Sequence, residues 1–211
     1  DYLPTWLQQY PDLYVNLDGE LQEEIEFRDA TVRLMTLAMM IIYALMAVAF
    51  RSYWQPMLIL TAVPFGLMGA IFGHMILGWQ VSLFSIMGVT ACAGVVVNDN
   101  LVLIDRINRL RGEGQEVVSA LLQAGEDRFR PIILTSLTTF VGLLPIMSET
   151  SVQAQFLIPM VTSLSFGVLF ATGVTLILVP ALYLIAEDLS AFKSRFLARY
   201  QRHQGETPSP S

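Results

Sequence analysis

Asn98-Asp99-Asn100 puts a carboxylate and two amides where such groups are costly. The triplet lies between Val95-Val96-Val97 and Leu101-Val102-Leu103-Ile104, within an apolar run long enough to cross a bilayer. A carboxylate at the membrane centre costs about 2.5–3.5 kcal/mol on insertion scales, so it faces protein or a water-filled path and takes a partner. Ser85, Gly88, Cys92, Val95 and Asp99 recur at three- and four-residue intervals and are expected to form an inward helix face. Ala91, Gly94 and Asn98 form the adjoining stripe. Small residues on both stripes admit a neighbouring helix. An ionisable group so placed reads as a proton-handling site; the competing reading is a structural hydrogen-bonded knot.

A second polar cluster opens with Arg128-Phe129-Arg130-Pro131 and presents Thr135, Thr138, Thr139 and Gly142 on one face. Pro131 suits the first turn of a helix, and Pro145 is expected to kink its far end. Threonines in helices often bond their own backbone; Thr135 stands out because a helix interface could set it opposite Asp99. Gly69-Ala70-Ile71-Phe72-Gly73 is a GxxxG packing motif, and His74 beside it reads as structural. Cys92 is the single cysteine, which excludes a disulfide or a cysteine-based metal site within one chain, and it reads as packing. The ten methionines read as filler for irregular gaps. No nucleophile–base pairing and no phosphate loop appears, so neither an enzymatic activity nor a cofactor is expected.

These residues need apolar helices to hold them. Hydrophobic residues make up 54% of the 211, and only 14% are charged, against about 25% in soluble domains. Five apolar segments, near 34–50, 57–77, 81–104, 132–147 and 156–186, each approach the roughly 20 residues a span needs. Ahead of them, residues 1–30 hold eight of the eighteen acids and one base, Arg28. This stub reads as a short helix over 4–10, a strand over 13–17 ended by Gly19, and an acidic helix start. A lone strand leaves its backbone unpaired, so its partners are expected in further sequence, and the chain reads as a fragment. Between the third and fourth segments, Val117, Val118, Leu121 and Leu122 predict a short amphipathic helix near 114–127 lying on the membrane surface. Ten of the twelve basic residues fall in the loops after the first and third segments or after the fifth, which the positive-inside rule makes cytoplasmic. The stub is then extracytoplasmic, and residues 187–211 form a cytoplasmic tail, largely disordered. No basic face exists to meet nucleic acid.

Phe50-Arg51-Ser52-Tyr53-Trp54-Gln55-Pro56, GVVVNDNLVLIDRIN over 94–108, RFRPIILTSLTT over 128–139, GLLP over 142–145 and FGVLFATGVTLILVPALYL over 166–184 together resemble the resistance–nodulation–division transporters. The resemblance covers nearly the whole chain. It implies an all-α polytopic membrane protein whose five transmembrane helices form most of the C-terminal half of a twelve-helix bundle. Residues 1–30 would end a periplasmic porter loop as a short α/β stub. It implies a multi-pass protein of the bacterial inner membrane, exporting small hydrophobic or amphiphilic compounds, drugs among them, against protons. It further implies a homotrimer embedded in lipid, with a periplasmic adaptor and an outer-membrane channel. By motif, the family's relay arginine falls on Arg128 and its relay threonine on Thr135. The lysine position of the drug exporters falls on Asn98, a departure. Asn98-Asp99 resembles instead the acidic pair of the other repeat. Asp99, Asn98, Asn100, Thr135 and Arg128 are therefore the expected relay residues. The alternatives are a protein-translocation accessory subunit built on the same bundle and a fragment inactive in transport.

Overall fold

A computed structural model of the chain describes residues 19–204; the expected helix over 4–10 and strand over 13–17 lie outside the described residues. Six helices fill that range, with no strand among the described residues: α1 (Gly19–Phe50), α2 (Trp54–Leu60), α3 (Val63–Leu77), α4 (Leu83–Gly112), α5 (Val117–Met147) and α6 (Val152–Gln204). The described residues divide between Met40 and Ile41 into two compact units. Among the described residues, five stretches are long and apolar enough to cross a membrane: Ile25–Phe50, Trp54–Leu77, Leu83–Gly112, Val117–Met147 and Val152–Leu189.

The helices run past the apolar segments that predict them. Helix α1 begins at Gly19, where the acidic helix start was expected, and carries its polar first turns on local pairs such as Gln22 to Glu26, 3.1 Å. The second span is two helices. Pro64 has no N–H to give to Leu60, so the ladder breaks at Thr61–Ala62 and the Thr61 hydroxyl takes the Leu58 carbonyl at 2.6 Å. Helix α3 stops at Gly78, whose φ of +71° suits glycine, while the Trp79 N–H closes the turn on the His74 carbonyl at 3.1 Å. Helix α4 starts from Ser82, whose backbone N–H donates to Ser85 Oγ at 3.0 Å, and ends with Arg109 and Arg111 in its last turn, where the dipole favours cations.

Two expectations are corrected here. The short amphipathic helix near 114–127 is not separate: it is the first part of α5, which continues through Pro131 to Met147. Pro131 therefore sits inside the helix rather than in a first turn. The helix survives it because one buried stripe, Leu121, Ala124, Ile132 and Ser136, packs on both sides of the proline. The tail is also more ordered than its composition suggested, since the backbone of 187–204 continues α6 as helix; residues 205–211 lie outside the described residues.

Helix α6 lies against α3, α4 and α5 and is the axis on which the bundle packs. One apolar cluster joins Leu58 and Ile59 of α2, Leu103, Ile104, Ile107 and Leu110 of α4, Ala120, Leu121 and Ala124 of α5, and Val179 and Tyr183 of α6. A second, smaller one joins Ala62, Cys92 and Val96 to Val168 and Ala171. The glycines of the GxxxG motif face α6 as the motif implies: a Cβ on Gly69 or on Gly73 would lie 2.6 Å from the Phe170 or the Phe166 Cβ. Close backbone approach replaces the hydrophobic drive that lipid removes.

Candidate functional site

Helix α4 buries Ser85, Gly88, Cys92, Val96, Asn100, Leu103, Ile107 and Leu110. The expected face is thus right through Cys92 and then turns by one residue, so that Val96 and Asn100 are fully buried while Val95 and Asp99 are only partly so. Asn100 is held within its own helix, its Nδ2 donating to the Val96 carbonyl at 2.9 Å. Asn98 is exposed. Asp99 sits at the edge of the buried face, half-buried, with Oδ2 enclosed and no hydrogen-bond partner. A buried acceptor with no donor is costly, more so when it carries charge.

The expected partner across the interface does not meet it. Thr135 is exposed on α5 and its hydroxyl donates to the Pro131 carbonyl at 2.7 Å. Thr138 and Thr139 likewise donate to Leu134 and Thr135 carbonyls, at 2.7 and 2.8 Å. All three threonines bond their own backbone. Arg128 lies four residues before Ile132 on the buried stripe of α5, half-buried, with its Nε enclosed and unpartnered. So this structure joins none of the five expected relay residues to another by hydrogen bond, but it leaves Asp99 and Arg128 each with an unmet polar atom.

Polar contacts absent from the sequence expectations tie the bundle. Ser136 Oγ on α5 lies 2.6 Å from Thr172 Oγ1 on α6, both buried. Arg106 clasps Asp127 through two nitrogens, at 2.6 and 2.8 Å, linking α4 to α5. Arg111 meets Glu187 at 3.1 Å, linking α4 to α6. Gln55 and Asn108 exchange two amide hydrogen bonds of 2.9 Å, and the Tyr183 hydroxyl adds a third to Asn108 at 3.3 Å. Only the pairing was hidden in the sequence, because each residue by itself looks like an ordinary interfacial polar group. Helix α6 also carries buried hydroxyls at Thr162, Ser163, Ser165, Thr172 and Thr175 within a strongly apolar run. Their signal was available: polar residues that recur inside a span mark its protein-facing side. No group of three or more His, Cys, Asp or Glu able to hold a metal occurs among the described residues.

A sequence model described as the AcrB/AcrD/AcrF family matches residues 6–187. The cobalt-zinc-cadmium resistance protein CzcA of Cupriavidus metallidurans is 30% identical over 191 residues, covering 87% of this chain and 18% of its own length. The cation efflux system protein CzcA of an Alcaligenes species matches with the same 30% identity and the same coverage, 87% and 18%. A crystal structure of a heavy metal efflux pump superposes with a TM-score of 0.65 at 25% identity, over 88% of this chain and 19% of that one. The chain thus spans less than a fifth of the length of the proteins it matches.

Proposed function

The chain belongs to the AcrB/AcrD/AcrF family of resistance–nodulation–division transporters, and on that premise we propose that it serves as membrane-embedded machinery of a proton-driven exporter. The observation that carries this reading is Asp99: a carboxylate within a membrane-spanning helix, its Oδ2 enclosed and without a donor. A carboxylate with no donor in this conformation is relieved either by taking a proton or by meeting a donor in another conformation. A group that alternates between these states couples proton uptake to helix movement. A charge moved across the membrane is driven by about 2.3 kcal/mol per 100 mV, enough to shift a helix packing equilibrium.

Arg128 is the second residue of this reading. Its enclosed Nε faces the bundle from α5 without an acceptor, and a small rotation or slide of α5 on α4 would change what it meets. Thr135, Asn98 and Asn100 are assigned supporting roles, as donors or acceptors when water reaches the α4–α5 interface. The functional unit is proposed to be a homotrimer in the inner membrane, working with a periplasmic adaptor and an outer-membrane channel.

The cargo proposed from the motifs is hydrophobic or amphiphilic. The names of the matched relatives favour a second reading, divalent cations such as cobalt, zinc and cadmium. Asp99→Asn in the transporting protein tests the proton step, because it keeps shape and hydrogen-bonding capacity while removing the titration. Efflux is expected to fall to background at matched expression and folding; near-normal efflux would reduce Asp99 to a structural residue. Parallel assays with a lipophilic dye and with radioactive zinc or cobalt decide the cargo.

A further inference from the structure

Between the first half of α5 and α6 runs a groove of about 560 Å³ that opens on the outside of the bundle. Leu122 and Phe129 of α5 and Ile177 of α6 are exposed along it. Gly125 leaves its floor empty, since a Cβ there would meet nothing within 4 Å. Glu126 is its one charged lining residue.

The charges beside the groove are unspent. Asp127 is engaged by Arg106, but no ion pair among the described residues includes Glu126 or Arg130. These two stand one turn apart on α5, both exposed, at a spacing where Glu and Arg often pair. The apolar run of α5 begins at Ile132, so both lie at the end of the span, at the level of lipid headgroups. A groove of hydrocarbon walls takes a hydrocarbon chain, and the carboxylate at its edge calls for a cation. A helix laid in the groove would cover the apolar walls, yet it would bury Glu126 unless it also brought a base. A phospholipid with a cationic headgroup brings the chain, the cation and an anion for Arg130 in one molecule.

We propose that this groove binds a phospholipid with a primary-amine headgroup. One acyl chain lies along Leu122, Gly125 and Ile177, the ammonium meets Glu126 and the phosphate meets Arg130. Charge-assisted hydrogen bonds from the ammonium to the carboxylate set the preference. A choline headgroup carries the same charge but has no N–H to donate. A glycerol headgroup carries no cation and leaves Glu126 facing the lipid phosphate. The site uses none of the residues assigned to the proton step, and the proposal holds whatever the cargo.

Photo-crosslinking of the transporting protein in bilayers tests it, using phosphatidylethanolamine and phosphatidylcholine that carry the same diazirine on one acyl chain. Mass spectrometry of the digested protein reads the labelled residues. In the unaltered protein the ethanolamine lipid is expected to label 121–129 and 176–180 several-fold more than the choline lipid. Glu126→Gln, a change at an exposed position, is expected to bring that ratio close to one. Gly125→Leu, whose Cβ has open space, fills the groove and is expected to lower labelling by both lipids several-fold. Equal labelling by the two lipids in the unaltered protein would overturn the proposal, as would an unchanged ratio in Glu126→Gln or unchanged labelling in Gly125→Leu. So would a groove left unlabelled while other lipid-facing residues react, which would show that another helix covers it.

Discussion

Cys92 of α4 is wedged against Gly167 of α6: a Cβ on that glycine would lie 2.7 Å from the Cys92 Sγ and 3.0 Å from the Gly66 carbonyl of α3. Three helices thus meet around one thiol. Its neighbours are glycine because no larger residue fits, which makes Cys92 a packing element. Gly167→Ala must push backbone or sulfur aside and is expected to lower stability by about 1–3 kcal/mol, the usual cost of overpacking. Thermal unfolding in detergent measures it, and an unchanged midpoint would show that the contact relaxes freely. In the same experiment the thiol should stay closed to maleimide until the bundle unfolds.

The Ser136–Thr172 pair predicts a coupling. Removing one hydroxyl leaves the other buried with a bond lost, at a cost of about 1–3 kcal/mol, whereas removing both is closer to neutral. Ser136→Ala, Thr172→Val and the double variant form a cycle. The double variant is expected to be less destabilised than the sum of the two; strict additivity would show that the pair contributes nothing.

Arg106 and Asp127 are partly exposed, so their contribution is screened. About 0.2–1 kcal/mol is expected from a double-mutant cycle at low salt, shrinking as ionic strength rises. A coupling that stays constant up to molar salt would mean that the packing of the arginine stem, and not the charge, holds α4 to α5.

Ser119 is exposed early in α5, on the side proposed to be cytoplasmic from the distribution of basic residues. With Cys92 replaced by alanine, Ser119→Cys is expected to resist an impermeant thiol reagent in intact cells and to react in inverted vesicles. Labelling in intact cells would reverse the proposed orientation.

Much of this architecture was legible from sequence because the membrane imposes it. Five apolar runs of spanning length leave helices as the economical solution, since lipid offers the backbone no hydrogen bonds. The GxxxG glycines and the acidic start of α1 were equally readable, because each depends on side-chain size or on local order alone. Helix ends were less so. The apolar run stops at Ile104 while α4 continues to Gly112, and α5 passes through Pro131, because packing in the larger apolar cluster extends both helices beyond their hydrophobic lengths.

What only the tertiary structure decided is the rotation of each helix and who meets whom. From Cys92 the inward stripe can step three residues to Val95 and Asp99 or four to Val96 and Asn100. At about 100° per residue the two choices lie on either side of the same line, and sequence periodicity does not separate them. The glycine contacts of α4 with α6 settle the choice, placing Asn100 inside and Asp99 at the rim with one oxygen enclosed. The same packing gave Ser136 to Thr172 and Ser85 to His74, while Thr135 turned to its own backbone. A sequence determines which groups cannot bear lipid; the close approach of neighbouring backbones determines which partner each of them finds.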